Sequence, residues 1–170
     1  SLWVRYATLL LVSAETTGVE EKLQAAESAL QGTNLDARTR DLIGQIAAAR
    51  ATLALTPYQP ETVLAQSRRA LEYLDPENLF SRATAHWTLG VAYQLQGDRA
   101  AARGAYTEVI ENSQASEDIF TTILATMCLG MIQEADNQLH LSVQTYQRVL
   151  QLAGDQPLPH LCEAHLGLAR

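Results

Sequence analysis

The sequence predicts an all-α fold, a right-handed superhelical solenoid of about nine helices arranged as hairpins at a pitch near 40 residues. Three observations lead there. Leu89-Gly90, Tyr106, Val109 and Ile110 recur as Leu129-Gly130, Tyr146, Val149 and Leu150, every member displaced by the same 40 residues. The segments Ala29-Leu30-Gln31, Ala70-Leu71-Glu72, Val109-Ile110-Glu111 and Val149-Leu150-Gln151 align without gaps at spacings of 41, 39 and 40. Ala and Leu dominate while aromatics make up only 6% of the chain, the composition of helices whose backbones approach closely.

Turn signals divide the chain into elements. They fall at Thr16-Thr17-Gly18, Gly32-Thr33-Asn34, 56–60, Asp75-Pro76-Glu77-Asn78, Gly97-Asp98, 112–116, Asp136-Asn137 and 154–159. Between them helices are predicted near 2–14, 19–31, 37–55, 60–74, 78–96, 99–112, 117–135, 139–153 and 158–170. One helical-repeat domain thus covers 1–170, with hairpins near 2–31, 37–74, 78–112 and 117–153 and the first helix of a fifth at 158–170. Asp75 ahead of Pro76 reads as a helix start, as does Ser116 ahead of Glu117 and Asp118, where a hydroxyl cap precedes two acids. Gly97-Asp98 reads as a tight turn, Gly supplying positive φ and Asp capping the next helix.

A chain of 170 residues buries roughly 70% of its unfolded surface and needs no metal or disulfide to fold. The net charge of −7, with twelve scattered basic residues, disfavours nucleic acid. Arg68-Arg69, on a helix flanked by Glu61 and Glu72, reads as a solvated face with i,i+3 or i,i+4 partners. Cys128 and Cys162 read as reduced core thiols of a cytoplasmic protein. The apolar stretch 7–12 is too short to span a bilayer, and Arg5 with Ser13-Ala14 imitates a signal peptide only loosely. With no initiator Met and a helical pattern still running at Arg170, the sequence reads as a fragment of something longer.

Within the hairpins the spacing resembles the tetratricopeptide repeat. Leu89, Gly90, Tyr93, Gly97, Ala102, Tyr106 and Val109 match its pattern, as do Leu129, Gly130, Asn137, Ser142, Tyr146 and Val149, with Gln133 replacing the first aromatic. The earlier hairpins depart from it, with Ala51 at the position of Gly90 and Ser67 at that of Tyr106. The pitch exceeds the repeat's 34 residues, which points to longer links between hairpins. Gln138-Leu139-His140 leading to Thr145 through Ala153, then Leu158-Pro159 leading to Ala164 through Ala169, is similar to the helical-repeat region of MalT-like regulators. These are large ATP-binding transcriptional regulators with a LuxR-type DNA-binding end. The resemblance implies a sensor that binds a small-molecule inducer or a regulatory protein or peptide and controls neighbouring nucleotide-binding and DNA-binding domains. The other reading is a generic tetratricopeptide scaffold taking a peptide on its concave face.

No catalytic constellation stands out, and no cofactor or membrane partner is implied. The only lysine, Lys22, lies between Glu21 and Leu23 in a helix, so no phosphate-binding loop is present. His160, Cys162, Glu163 and His165 cluster without the three or four converging ligands that zinc requires. His86 reads as a packed imidazole and His140 as a solvated one. The candidate binding residues are first-helix positions that line the concave side of tetratricopeptide stacks: Thr84, Trp87, Val91 and Gln94, then Leu124, Met127, Met131 and Glu134. Leu161, Ala164 and Leu168 continue the row. An aromatic, two adaptable methionines and polar ends suit a groove for a small ligand or a partner helix, while the same apolar residues also suit packing of a curved stack. The absence of Lys and Asn from the row argues against a carboxylate clamp.

Overall fold

The computed structural model describes residue 4 and residues 17–57, 59–154 and 161–169. These contain eight helices: α1 (Val19–Ser28), α2 (Ala37–Leu55), α3 (Pro60–Tyr73), α4 (Leu79–Leu95), α5 (Arg99–Ala115), α6 (Ile119–Ala135), α7 (Leu139–Ala153) and α8 (Leu161–Leu168). The helix expected near 2–14 lies outside the described residues, apart from a buried Val4, and so do Leu158, Pro159, His160 and the side chain of Glu163. Each helix packs on its neighbours in sequence, and α2 also meets α4 and α6 meets α8. That adjacency is what a stack of helical hairpins requires.

From α4 to α7 the helices begin every 20 residues, at 79, 99, 119 and 139, and three residues separate each of these from the next. The links within and between these hairpins are therefore equal. The 40-residue pitch comes from long helices, 17 residues each in α4, α5 and α6, and not from longer links between hairpins. Every three-residue link uses the same device. Gly97, Glu117 and Asn137 take left-handed φ values of 79°, 59° and 58°, and the residue after each precedes the next helix. Asp98 accepts from the backbone N–H of Ala101, and Asp118 from that of Thr121, at 3.0 Å in both cases.

Two expected helix starts move for that reason. The cap of α6 is Asp118 and not Ser116, which closes α5 by donating from Oγ to the carbonyl of Asn112 at 3.0 Å. With Ser116 in that role, α5 runs through 112–115, where a turn was expected. The cap of α4 is Asn78, accepting from the Ser81 N–H at 3.3 Å, because Asp75 instead closes a local turn on the Glu77 N–H at 2.9 Å. At the other end of the chain α1 stops at Ser28 and gives way to turns through Leu30 and Gln31.

The repeated tyrosines knit the stack. Tyr106 and Tyr146 are 1% exposed, and each ring lies where a Cβ on Gly90 or Gly130 would stand, 2.7 and 2.5 Å from the nearest ring atom. Those glycines let the two helices of a hairpin close over the ring. Tyr146 is pressed from its other side by α8, where a Cβ on Gly167 would come within 2.3 Å of the ring. In the preceding hairpin, buried Ala51 and Ser67 take these positions, and Ser67 Oγ lies 2.7 Å from Thr88 Oγ1 of α4. A short hydroxyl pair thus replaces a ring as the link to the next hairpin. Ser113 and Thr122 make the same 2.7 Å contact between α5 and α6.

Candidate functional site

The expected row on α4 begins with Thr84, part-exposed, its hydroxyl donating to the Phe80 carbonyl at 3.0 Å. Trp87 is half-buried and meets Tyr106 edge to face, with ring centroids 5.5 Å apart and planes 66° apart. Val91 is half-buried and Gln94 exposed. On α6, Leu124 is half-buried and Met131 is 37% exposed. Met127 departs from the expected wall. It is 5% exposed and belongs to the core with Ile123, Tyr146, Val149 and Ala164, because α7 and α8 both close on that turn of α6. Leu161, Ala164 and Leu168 pack into this same core.

Gln94 and Glu134, expected as polar edges of a groove, do a specific structural job. Gln94 Oε1 accepts from the Tyr106 hydroxyl and Glu134 Oε2 from the Tyr146 hydroxyl, both at 3.0 Å. A buried phenol needs such a partner. The recurring 12-residue interval, 94 to 106 and 134 to 146, was the available signal. Burial, with Cys128 alongside, pushes the Tyr106 phenol far above its usual range, so it stays neutral and donates.

Sequence reasoning passed over Phe80 and Phe120, the only phenylalanines in the chain, which stand 40 residues apart and one turn before Thr84 and Leu124. They are 54% and 49% exposed. The partly exposed portion of the row is therefore Phe80, Thr84, Trp87, Val91 and Gln94 on α4, and Phe120, Leu124, Met131 and Glu134 on α6. Burying such surface against a ligand is favourable at roughly 25 cal/mol per Å² of apolar area.

Among the described residues the histidines and cysteines build no catalytic or metal centre. His86 faces α5 with Nε2 3.9 Å from Glu108 Oε2 and without a hydrogen bond. Burial, then the nearby Arg82 charge, lowers its pKa to about 4 against a smaller opposing pull from Glu111, so the imidazole is neutral at pH 7. His140 is exposed and shares a 3.0 Å contact with Gln144. Cys128 is half-buried, but Cys162 is exposed and not a core thiol. Arg69 reaches Glu27 of α1 at 3.5 Å and Arg68 donates to the Tyr93 hydroxyl, so neither pairs within its own helix. Among the described residues no three metal-ligating side chains converge, and no helix is long and apolar enough to cross a membrane.

Neither the curated proteins nor the solved structures contain a match to this chain. A family model, the MalT-like TPR region, matches residues 44–170, from the middle of α2 onward. That span covers three quarters of the sequence and takes in both glycine–tyrosine pairs, every three-residue link and the α4–α6 row. The chain belongs to the MalT-like TPR region family.

Proposed function

We propose that this chain is the sensor region of a cytoplasmic MalT-like, LuxR-type transcriptional regulator, acting by binding and not by catalysis. It takes a small-molecule inducer or a regulatory protein or peptide on the exposed row of α4 and α6, and passes that event to nucleotide-binding and DNA-binding domains of the parent chain. The observation that carries the reading is the paired exposure, at one repeat interval, of Phe80 with Val91 and Phe120 with Met131 in a family of helical-repeat regions. Apolar side chains half in water at repeated positions form an extended contact surface. A ligand transmits information only if it binds one hairpin arrangement better than another, and a row spread over two successive hairpins senses their relative angle.

The test is a thermal-shift screen of a metabolite library on the chain and its Met131→Lys variant. A true effector raises the melting temperature saturably in the parent chain, by RT ln(1 + [L]/Kd) in free energy. It loses that effect in the variant, whose unliganded melt is little changed because Met131 is already 37% exposed. Equal stabilisation of both proteins by every hit contradicts the reading.

A further inference from the structure

A cleft of about 370 Å³ opens where the end of α3 and the link after it meet the first turns of α2 and α4. Four charged side chains line it, Arg40, Arg82, Glu72 and Asp75, beside an apolar wall of Leu71, Leu74 and Pro76. Among the described residues none of the four charges is in an ion pair. Of the other described arginines, Arg50, Arg69, Arg99 and Arg103 each reach a carboxylate within 3.5 Å, while the exposed Arg38, Arg68 and Arg148 do not. Arg40 donates only to the backbone carbonyl of Glu72 at 3.3 Å and lies over the Tyr73 ring at 5.0 Å. Arg82 is partly buried, and its side chain makes no hydrogen bond to the described residues. A partly desolvated guanidinium without a counter-charge is an unfavourable arrangement. Both arginines also sit in the opening turns of their helices, where the dipole disfavours cations. Asp75 has one oxygen on the Glu77 N–H at 2.9 Å, and the Glu72 carboxylate is exposed.

Unpaired cations and unpaired anions around one cavity are the complement of a ligand that carries both charges. We propose that this cleft binds a small zwitterion, an α-amino acid with an apolar side chain. Arg40 and Arg82 take its carboxylate, for which the planar guanidinium fork is suited. Glu72 and Asp75 take its ammonium, and Leu71, Leu74 and Pro76 cover its side chain. Because Arg40 and Glu72 belong to the α2–α3 hairpin and Arg82 to α4, occupancy ties one hairpin to the next. The site is separate from the exposed row on α4 and α6, and its failure leaves that reading intact.

The experiment titrates L-leucine into the 170-residue chain by calorimetry and by amide chemical shifts, with leucinamide and 4-methylpentanoate as the cation-only and anion-only comparators. Leucine is expected to bind saturably and to move the signals of Arg40, Tyr73 and Arg82, with both comparators weaker by about tenfold or more. Arg82→Gln is expected to weaken leucine by about tenfold or more, and Glu72→Gln to weaken leucine but not 4-methylpentanoate. Absence of saturable leucine binding overturns the proposal, and so does 4-methylpentanoate binding as tightly as leucine, which marks a plain anion site. Unchanged leucine affinity in a folded Arg82→Gln variant overturns it too. Should that variant fail to fold, Glu72→Gln decides, since its side chain is exposed and its removal leaves the packing unaltered.

Discussion

Replacing Gly130 by Ala tests the packing of the stack through the sign of one small change. In a solvated helix interior this substitution stabilises by roughly 1 kcal/mol, because Ala loses less backbone entropy on folding. Here the added methyl would stand 2.5 Å from Cε1, 2.8 Å from Cδ1 and 3.1 Å from Cζ of Tyr146. The ring cannot retreat, since a Cβ at Gly167 on its other side would already be 2.3 Å away, and its hydroxyl is tied to Glu134. Overpacking of this kind costs about 1–3 kcal/mol, so Gly130→Ala is expected to destabilise by about 1–2 kcal/mol after the propensity gain is subtracted. Gly104 supplies the control. Nothing lies within 4 Å of its would-be Cβ on the exposed side of α5, and Gly104→Ala is expected to stabilise by about 1 kcal/mol. Tyr146→Ala alone costs on the order of 3 kcal/mol for loss of a buried ring, yet in that background Gly130→Ala turns neutral or stabilising because the clash has gone. Urea unfolding followed by far-ultraviolet circular dichroism compares the four variants with the parent chain. If Gly130→Ala stabilises the parent chain as much as Gly104→Ala does, the ring is not where the packing places it.

Three further outcomes follow from the same structure. His86 has a folded pKa of about 4 against an ordinary 6.5, with Arg82 on its own helix and Glu108 and Glu111 facing it from α5. The unfolded chain therefore takes up the proton first; the contribution of the neutral imidazole, on the order of 3 kcal/mol, is complete above pH 6.5 and is lost as pH falls toward 4. His86→Gln should flatten the pH dependence of urea stability across that window, and an unchanged slope would rule the effect out. Glu117 holds a φ of 59°, so Glu117→Gly is expected to stabilise by about 0.5–1 kcal/mol in urea unfolding, and a loss of stability contradicts that. With a net charge of −7 the isolated chain should retain no duplex DNA in filter binding at physiological salt, whereas submicromolar, steeply salt-dependent retention would overturn the sensor reading.

The architecture was legible because hydrophobic period and repeat spacing report on packing directly. The 40-residue displacement of Leu-Gly, Tyr and Val marked the glycine–tyrosine contacts that the structure displays at Gly90 with Tyr106 and Gly130 with Tyr146. Link geometry was less legible, since a left-handed residue followed by an acid reads clearly at Gly97-Asp98 but is disguised at Glu117-Asp118, where a non-glycine residue carries the positive φ. The candidate row mixed two populations that sequence spacing alone does not separate. Met127 and Met131 sit four residues apart on one helix, yet α7 and α8 bury the first and leave the second part-exposed. Gln94 and Glu134 looked like groove edges because their tyrosine partners lie 12 residues away across a turn, beyond the reach of helical periodicity. The cleft beside Arg82 left no motif, because its charges come from three helices and one link.

The most direct test of the sensor reading is a fluorescence titration in a Trp3→Phe background, which leaves Trp87 as the sole indole. Trp87 belongs to that row on α4 and is half-buried against Tyr106, so a ligand settling on the row changes its surroundings. An effector from the thermal-shift screen is expected to produce a saturable change in Trp87 emission whose midpoint matches the dissociation constant obtained from stabilisation. Both signals are expected to be lost in Met131→Lys. A ligand that stabilises the chain while Trp87 emission stays constant, or one to which Met131→Lys responds like the parent, would show that binding occurs elsewhere and that the row on α4 and α6 is packing.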